Sequence, residues 1–481
     1  MSIVAETPLH PAERHPIRAD VRDLGRVLFG RASNGEAPLA LEVWRLAWPA
    51  ITHYLLITLV FLVDRIVLGH YSSAALASLQ ISSILVWTLY SIFTSLSAGT
   101  LAIVGRSIGA GDRKTAAKTA LASIGVSFLL GLVVSALVVT SAGASLPRLF
   151  PQAGAEVLGD AEAYLSIVLA TLPLAFVEAS AAASLQAAGD TKTPLFAALV
   201  SNLLNLALSL TLVFGAFGLP RLGVRGAAIG AAAATVMQAI VLVGALLRKN
   251  GKLPIRSVLS WRALVDPRAL ERLGAVSGSA FVEKVGYNGG YLLFVMIIGW
   301  LGPAAMAANQ ALTSIESVCF LSADGLGVAA GALVAQKLGA GRPEEAERAA
   351  RIASIMAIAI LGSFGILFAV IPGPLVSAFG SDPAIHDLGV RAMYVAAIAQ
   401  PFMAFASVMR MTLRGAGATS TVLAVTVVGT FLVRLPVCYV AAISLGWGLV
   451  GVWIGSTLHW VFETAVFRAV FARGAWKLKK V

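Results

Sequence analysis

The chain has 481 residues, of which 58% are apolar and 12% charged, with a formal net charge of +12. Soluble domains carry about twice that charged share and about 45–50% apolar residues even with glycine counted, so the composition excludes a soluble protein and describes a polytopic membrane protein. The basic excess sits in short loops between apolar runs, as orientation signals do, and not in a patch suited to nucleic acid.

Residues 1–45 are polar and mixed in charge. Within them Ile17, Val21, Leu24 and Leu28 recur at helical spacing beside a stripe of Arg14, Arg18, Arg22 and Arg26. That pattern suits a short helix lying on an anionic cytoplasmic leaflet, with a disordered tail as the alternative. Apolar runs follow at 46–69, 76–103, 116–141, 161–187, 194–216, 224–247, 273–299, 304–335, 348–372, 386–412, 420–444 and 449–470. Each is near the ~20 residues a spanning helix needs. Strand-like alternation in segments of about ten residues is absent, which argues against a transmembrane barrel.

With a cytoplasmic N-terminus, and with charges near span ends counted with the segment they adjoin, 29 of the 36 Lys and Arg fall in cytoplasmic segments, four fall outside, and Arg65, Lys284 and Arg434 lie within spans. This bias predicts that both termini are cytoplasmic and that the protein is a multi-pass component of the plasma (inner) membrane. No cleaved signal peptide is expected. Cys319 and Cys438 lie inside apolar runs without ligand-like spacing and read as packing residues.

The longest charged connector, 248–272, divides the chain near its middle. A shift of 230 aligns Gly69 with Gly299, Gln80 with Gln310, and Gly109-Ala110-Gly111 with Gly339-Ala340-Gly341. A shift of 228 pairs Pro173 with Pro401 and Gly189 with Gly417, and one of 225 pairs Gly223 with Gly448. An ordered series with a slowly drifting offset is the mark of duplication. The predicted fold is therefore all-α, with twelve transmembrane helices in two six-helix lobes, 46–247 and 273–472, around a central cavity. The segment 248–272 is a cytoplasmic linker, and 473–481 a basic tail. Six spans is an even number, so the copies run parallel and their relating axis lies along the membrane normal. The two GxG turns follow spans 2 and 8, where glycine permits positive φ and close backbone approach. No Walker lysine follows them, which excludes a phosphate loop.

Ionisable residues inside apolar spans are costly there and mark cavities or pairs. Asp64 lies 15 residues after Pro49 in span 1, about 22 Å along a helix. Pro49 can kink that helix, and a carboxyl beyond a kink is placed to change hydration and protonation as the helix straightens. The alternative is a static Asp64–Arg65 pair. His53, three turns earlier, shares a face with Asp64 and is more economically read as a packing residue. The 230 shift sets it opposite Glu283, which shares a face with Tyr287, Gly290 and Phe294. Glu178 follows Pro173 in span 4. Glu316 and Asp324 are close enough on span 8 to reach one cavity, and Arg434 is the obvious counter-charge of the second lobe. Pro49, Pro173 and Pro401 are the candidate kinks. Structural ion pairing is the competing account of Glu178, Glu316, Asp324 and Arg434, and Glu463, late in span 12, reads as structural. No HExxH, CxxC or GxSxG is present, so no enzyme, metal or cofactor is expected.

Several of these segments resemble the multidrug and toxic compound extrusion (MATE) family over roughly 45–472. They are the span ending Val63-Asp64-Arg65-Ile66-Val67-Leu68-Gly69-His70, the Leu185-Gln186-Ala187-Ala188-Gly189-Asp190-Thr191-Lys192-Thr193-Pro194 loop, its echo Leu413-Arg414-Gly415-Ala416-Gly417, and the Ala307-Ala308-Asn309-Gln310 run. The resemblance implies two lobes about a V-shaped cavity, alternating access, and efflux of amphipathic, often cationic compounds in exchange for H⁺ or Na⁺. It implies cation coupling through Asp64, Glu283 and Asn205. Ser209 stands where the family's span 5 motif usually has Asp, and Met403 where some branches carry a span 10 Asp. A Na⁺ site prefers several hard oxygen ligands, so these departures favour H⁺ and suggest the DinF-like branch, which the Leu321-Ser322-Ala323-Asp324-Gly325 run also resembles. Expected partners are small organic cations or drugs, the coupling cation and membrane lipid, with a monomeric protein. A flippase of lipid-linked saccharides is the alternative; it would be expected to line its cavity with several arginines and lysines.

Overall fold

A computed structural model describes residues 38–151, 153–248, 251–379 and 382–479. The stripe within 1–37 that suggested an interfacial helix lies outside them. Eleven described helices are long and apolar enough to cross a membrane, and the pair Ala155–Ala170 and Leu172–Ala187, bent by 48°, makes a twelfth crossing. Span 1 is Leu39–Tyr71, span 2 is Ser73–Phe93 continued by Leu96–Gly109, and span 3 is Arg113–Leu149. After the bent span 4 come span 5 (Lys192–Phe214) and span 6 (Val224–Leu246). The second lobe holds Pro267–Gly299, Pro303–Gly339, Pro343–Val370, Pro383–Gly415, Thr419–Ser444 and Gly448–Arg473 as spans 7 to 12. Twelve helical spans in a duplicated arrangement are what the sequence predicts.

Of the three candidate kinks, only Pro173 coincides with a break, at Thr171. Proline is tolerated there because the first turn of a helix has no intrahelical partner for its N–H. The helix continues through Pro49 and Pro401. Span 11 instead widens to π pitch at Gly429–Arg434 and Val440–Ser444, on either side of Pro436. Such bulges absorb a helix-breaking residue without ending the helix.

Alanine and glycine dominate the buried contacts, as expected where helices associate by close backbone approach. Large apolar side chains such as Leu132, Leu137, Leu203, Ile240, Leu292 and Ile366 point outward, where lipid would cover them. The connector between lobes folds as two short helices, Ile255–Val258 and Trp261–Leu264, with Ile255 and Ala263 buried in the first-lobe core. Lys252 donates to the Gly189 carbonyl at 2.7 Å, tying the connector to the loop after span 4.

The internal repeat has a direct structural expression. A Cβ on Gly109 would lie 1.8 Å from the Gln336 carbonyl oxygen, and one on Gly339 would lie 2.0 Å from that of Arg106. Residues 106 and 336, like 109 and 339, are related by the 230 shift, so spans 2 and 8 cross symmetrically and in backbone contact. Gly111 and Gly341 close the two turns at φ +78° and +72°. At the same end Gln336 donates to the Ala187 carbonyl at 2.6 Å, and Lys337 of span 8 pairs with Glu42 of span 1 at 3.4 Å. The C-terminal segment spans this end too. Trp476 is buried and stacks on Phe471, Lys477 pairs with Glu347 of the second lobe, and the Lys479 carbonyl accepts from Arg106 of the first.

Candidate functional site

Adjacent helix residues point about 100° apart, and Asp64 and Arg65 divide accordingly. Asp64 is 1% exposed, whereas Arg65 faces outward and makes no pair with it. Three neutral groups serve the carboxylate. Tyr164 of span 4 donates to Oδ2 at 3.1 Å, while Asn205 and Ser209 of span 5 donate to Oδ1 at 3.5 and 3.4 Å. Ser209 thus occupies the place for which the resemblance implied a second acid. Span 6 comes close because residue 230 is glycine, where a Cβ would lie 2.6 Å from the Ser209 hydroxyl. The Asn205 Oδ1 atom is enclosed without a hydrogen-bond partner.

Asp64 lines a cavity together with Glu178, Trp87, Tyr90, Tyr164 and Gln238. Glu178 accepts a 2.7 Å hydrogen bond from Gln238, whose carbonyl in turn accepts from Ser201 at 2.8 Å. Among the described residues no Lys, Arg or His nitrogen comes within 4.0 Å of Asp64 or Glu178. The first-lobe cavity therefore carries two carboxylates and no paired cation. Sequence reasoning singled out both acids and Asn205. It missed Tyr164, Gln238 and Ser201, whose only signal was being polar on an otherwise apolar helix.

The second lobe is built differently. Glu283 shares the buried stripe with Gly290 and Phe294, and Tyr287 is half-buried on it. Its partner is Arg414 at 2.8 Å, rather than the adjacent Lys284. Arg410 binds Glu463 at 2.6 Å, and His459 lies 3.6 Å from the same carboxylate. Among the described residues Arg434 is not paired with an acid; its guanidinium lies 3.9 Å from the centre of the Phe294 ring. Glu316 accepts from Gln400 at 3.4 Å, and among the described residues Asp324 makes no ion pair or hydrogen bond. His53 is enclosed, with both ring nitrogens unpartnered and its edge toward Tyr54. Met403 is buried in the second-lobe core. Arg410 and Arg414, counted with the cytoplasmic charges in the sequence, are both buried by their acidic partners.

Two parallel six-span lobes, in contact at one end and holding an acidic cavity in one of them, define a membrane transporter. The MatE family model matches residues 49–211 and 280–440. A probable multidrug resistance protein NorM of Thermotoga maritima is 30% identical over 445 residues, covering 92% of this chain and 94% of that protein. A protein of the same name from Pseudomonas putida is 28% identical over 450 residues, covering 91% and 94%. The Vibrio cholerae MATE transporter VcmN in its bent form has the same fold, with a TM-score of 0.82 at 19% identity over 91% of this chain and 97% of that one. The chain belongs to the MATE family, whose members are transporters and not enzymes.

Proposed function

We propose that this protein is a secondary antiporter that exports amphipathic, chiefly cationic organic compounds in exchange for protons. The observation that carries this reading is Asp64, a buried carboxyl served by three neutral donors on the wall of a cavity without a paired cation. A buried acid without a counter-ion is poised between a protonated, neutral form and an ionised form that seeks a cation. The names of the Thermotoga and Pseudomonas relatives, probable multidrug resistance proteins, agree with drug efflux.

Proton coupling is favoured over sodium by the ligand set. Asp64 has Asn205 and Ser209 beside it and no second carboxylate, whereas a desolvated metal ion needs several hard oxygens. The positive-inside bias assigns the end with the GxG turns, the connector and the tail to the cytoplasm. The close crossing of spans 2 and 8 then seals the cytoplasmic side, which supports alternating access with this state open outward. A monomer in the plasma (inner) membrane suffices for this cycle. In it, a proton arriving at Asp64 from outside loosens the hold on a cationic substrate, the lobes reorient, and proton loss inside resets the carboxylate. Coupling requires each ligand to change the other's affinity by the same factor. A saccharide-lipid flippase would need unpaired cations facing phosphate. Arg410 and Arg414 are instead neutralised by Glu463 and Glu283, and Arg434, without an acidic partner among the described residues, lies against the Phe294 ring, so this reading is the weaker one.

The test is ethidium efflux from proteoliposomes under a pH gradient and, separately, a sodium gradient, for wild type and Asp64→Asn. Efflux driven by pH and lost in the variant is the expected result. Efflux driven by sodium alone, or full pH-driven efflux in Asp64→Asn, overturns the assignment.

A further inference from the structure

Both first-lobe carboxylates face one cavity, yet their surroundings share no hydrogen-bonding side chain. Asp64 is held by Tyr164, Asn205 and Ser209, and Glu178 by Gln238, which Ser201 orients. Ser201 lies one to two turns from Asn205 and Ser209 on span 5, which separates the two polar clusters by about 6–12 Å along that helix. That separation is about the width of an aromatic cation, so one bound molecule can meet Glu178 without displacing the donors around Asp64.

Much of the rest of the cavity wall is aromatic or apolar. Trp87 and Tyr90, three residues apart on one face of span 2, present tilted rings 6.5 Å apart to the cavity. Tyr90 and Glu178 line the same cavity. Val86, Val168 and Leu172 supply apolar surface around them. Glu178 makes one hydrogen bond, through Oε1 to Gln238, and its Oε2 atom has no protein partner among the described residues. A carboxylate with a free oxygen, in one cavity with two aromatic faces and an apolar wall, is the chemistry that recognises a bulky organic cation.

We propose that Glu178, with Tyr90 and Trp87, forms the subsite for the cationic head of the exported compound, distinct from the proton site at Asp64. This inference rests on the export reading and divides its two duties between two carboxylates. Substrate and proton then do not compete for the same oxygen atoms. Their antagonism arises from the field each imposes on the other across the cavity, and from the lobe positions each favours.

The probe is tetraphenylphosphonium, an aromatic cation with no ionisable group. Its dissociation constant is measured by calorimetry on the purified transporter in detergent, for wild type, Glu178→Gln, Glu178→Asp, Tyr90→Leu and Asp64→Asn, with a thermal unfolding profile of each. Glu178→Gln should weaken binding by at least about tenfold, with Glu178→Asp recovering part of the loss, while Asp64→Asn, which fixes the neutral state of the proton site, should weaken it less than Glu178→Gln does. Tyr90→Leu, which leaves both carboxylates in place, should weaken binding by about tenfold and serves as the independent check if Glu178→Gln unfolds. Unchanged affinity in Glu178→Gln, or in Tyr90→Leu, in a protein that exports ethidium overturns the subsite and leaves the export reading standing. Loss of binding in Asp64→Asn with retention in Glu178→Gln also overturns it, because substrate and proton would then share one carboxylate. A wild type that binds no tetraphenylphosphonium and moves no ethidium overturns both.

Discussion

Arg414 and Glu283 meet at 2.8 Å although 131 residues separate them, and both are buried. The pair ties the end of span 10 to the middle of span 7 and neutralises the carboxylate that the family resemblance implicated in cation coupling. Removing one partner leaves an uncompensated buried charge, which costs about 3–5 kcal/mol. Glu283→Gln and Arg414→Met should each lower the unfolding temperature in detergent, and the double variant should recover most of the loss. Additive losses in the double variant would mean the two side chains do not act as a pair.

Ser209 places a neutral hydroxyl 3.4 Å from Asp64 where the resemblance implied a second acid. Ser209→Asp adds a second carboxylate beside Asp64 and thereby a stronger demand for a cation. Sodium should then raise the thermal stability of Ser209→Asp while leaving wild type unchanged at equal ionic strength. A wild type stabilised by sodium over choline would count against proton coupling.

The crossing of spans 2 and 8 admits no side chain. A Cβ at residue 109 or 339 would enter the carbonyl group opposite, at 1.8 or 2.0 Å. Gly109→Val or Gly339→Val should force the lobes apart at this end. Spin labels on Ala110 and Ala340, two residues next to these turns, should report a longer and broader distance in either variant. An unchanged distance with retained transport would show that the backbones need not touch.

The C-terminal segment closes over the same end, with Lys479 joined to Arg106 and Lys477 to Glu347. Deleting residues 475–481 removes both links and the buried Trp476. Amide hydrogens of the turn at 109–112 should exchange faster in the truncated protein. Equal protection would mean that the tail rests on the lobes without holding them.

The architecture was legible in the sequence because its cause is simple. A helix must be long and apolar to cross, so each of the twelve spans contains most of one apolar run, and several extend beyond it, as span 1 does from Leu39 and span 3 to Leu149. The duplication was legible through Gly109 and Gly339, since backbone contact tolerates no other residue there. Asp64 and Glu178 stood out as acids in apolar surroundings. Their partners did not, because whether Tyr164 or Gln238 reaches a carboxylate depends on helix rotation and register, which composition leaves open. Arg410 and Arg414 were hidden for another reason. Near the end of a span, a charge paired with a distant acid and a charge bathed in water look the same along the chain.

The symmetric contact at 106–109 and 336–339 has the form of an interface between two identical subunits, now contained in one polypeptide. In a true homodimer, any change at that point would be made twice and would strike both halves at once. Fusion released each copy from its mirror image. The backbone contact has stayed common to both halves, while the side chains above it have diverged, acidic in one lobe and charge-balanced in the other. Alike where they touch, the lobes are free to differ in the charges they enclose.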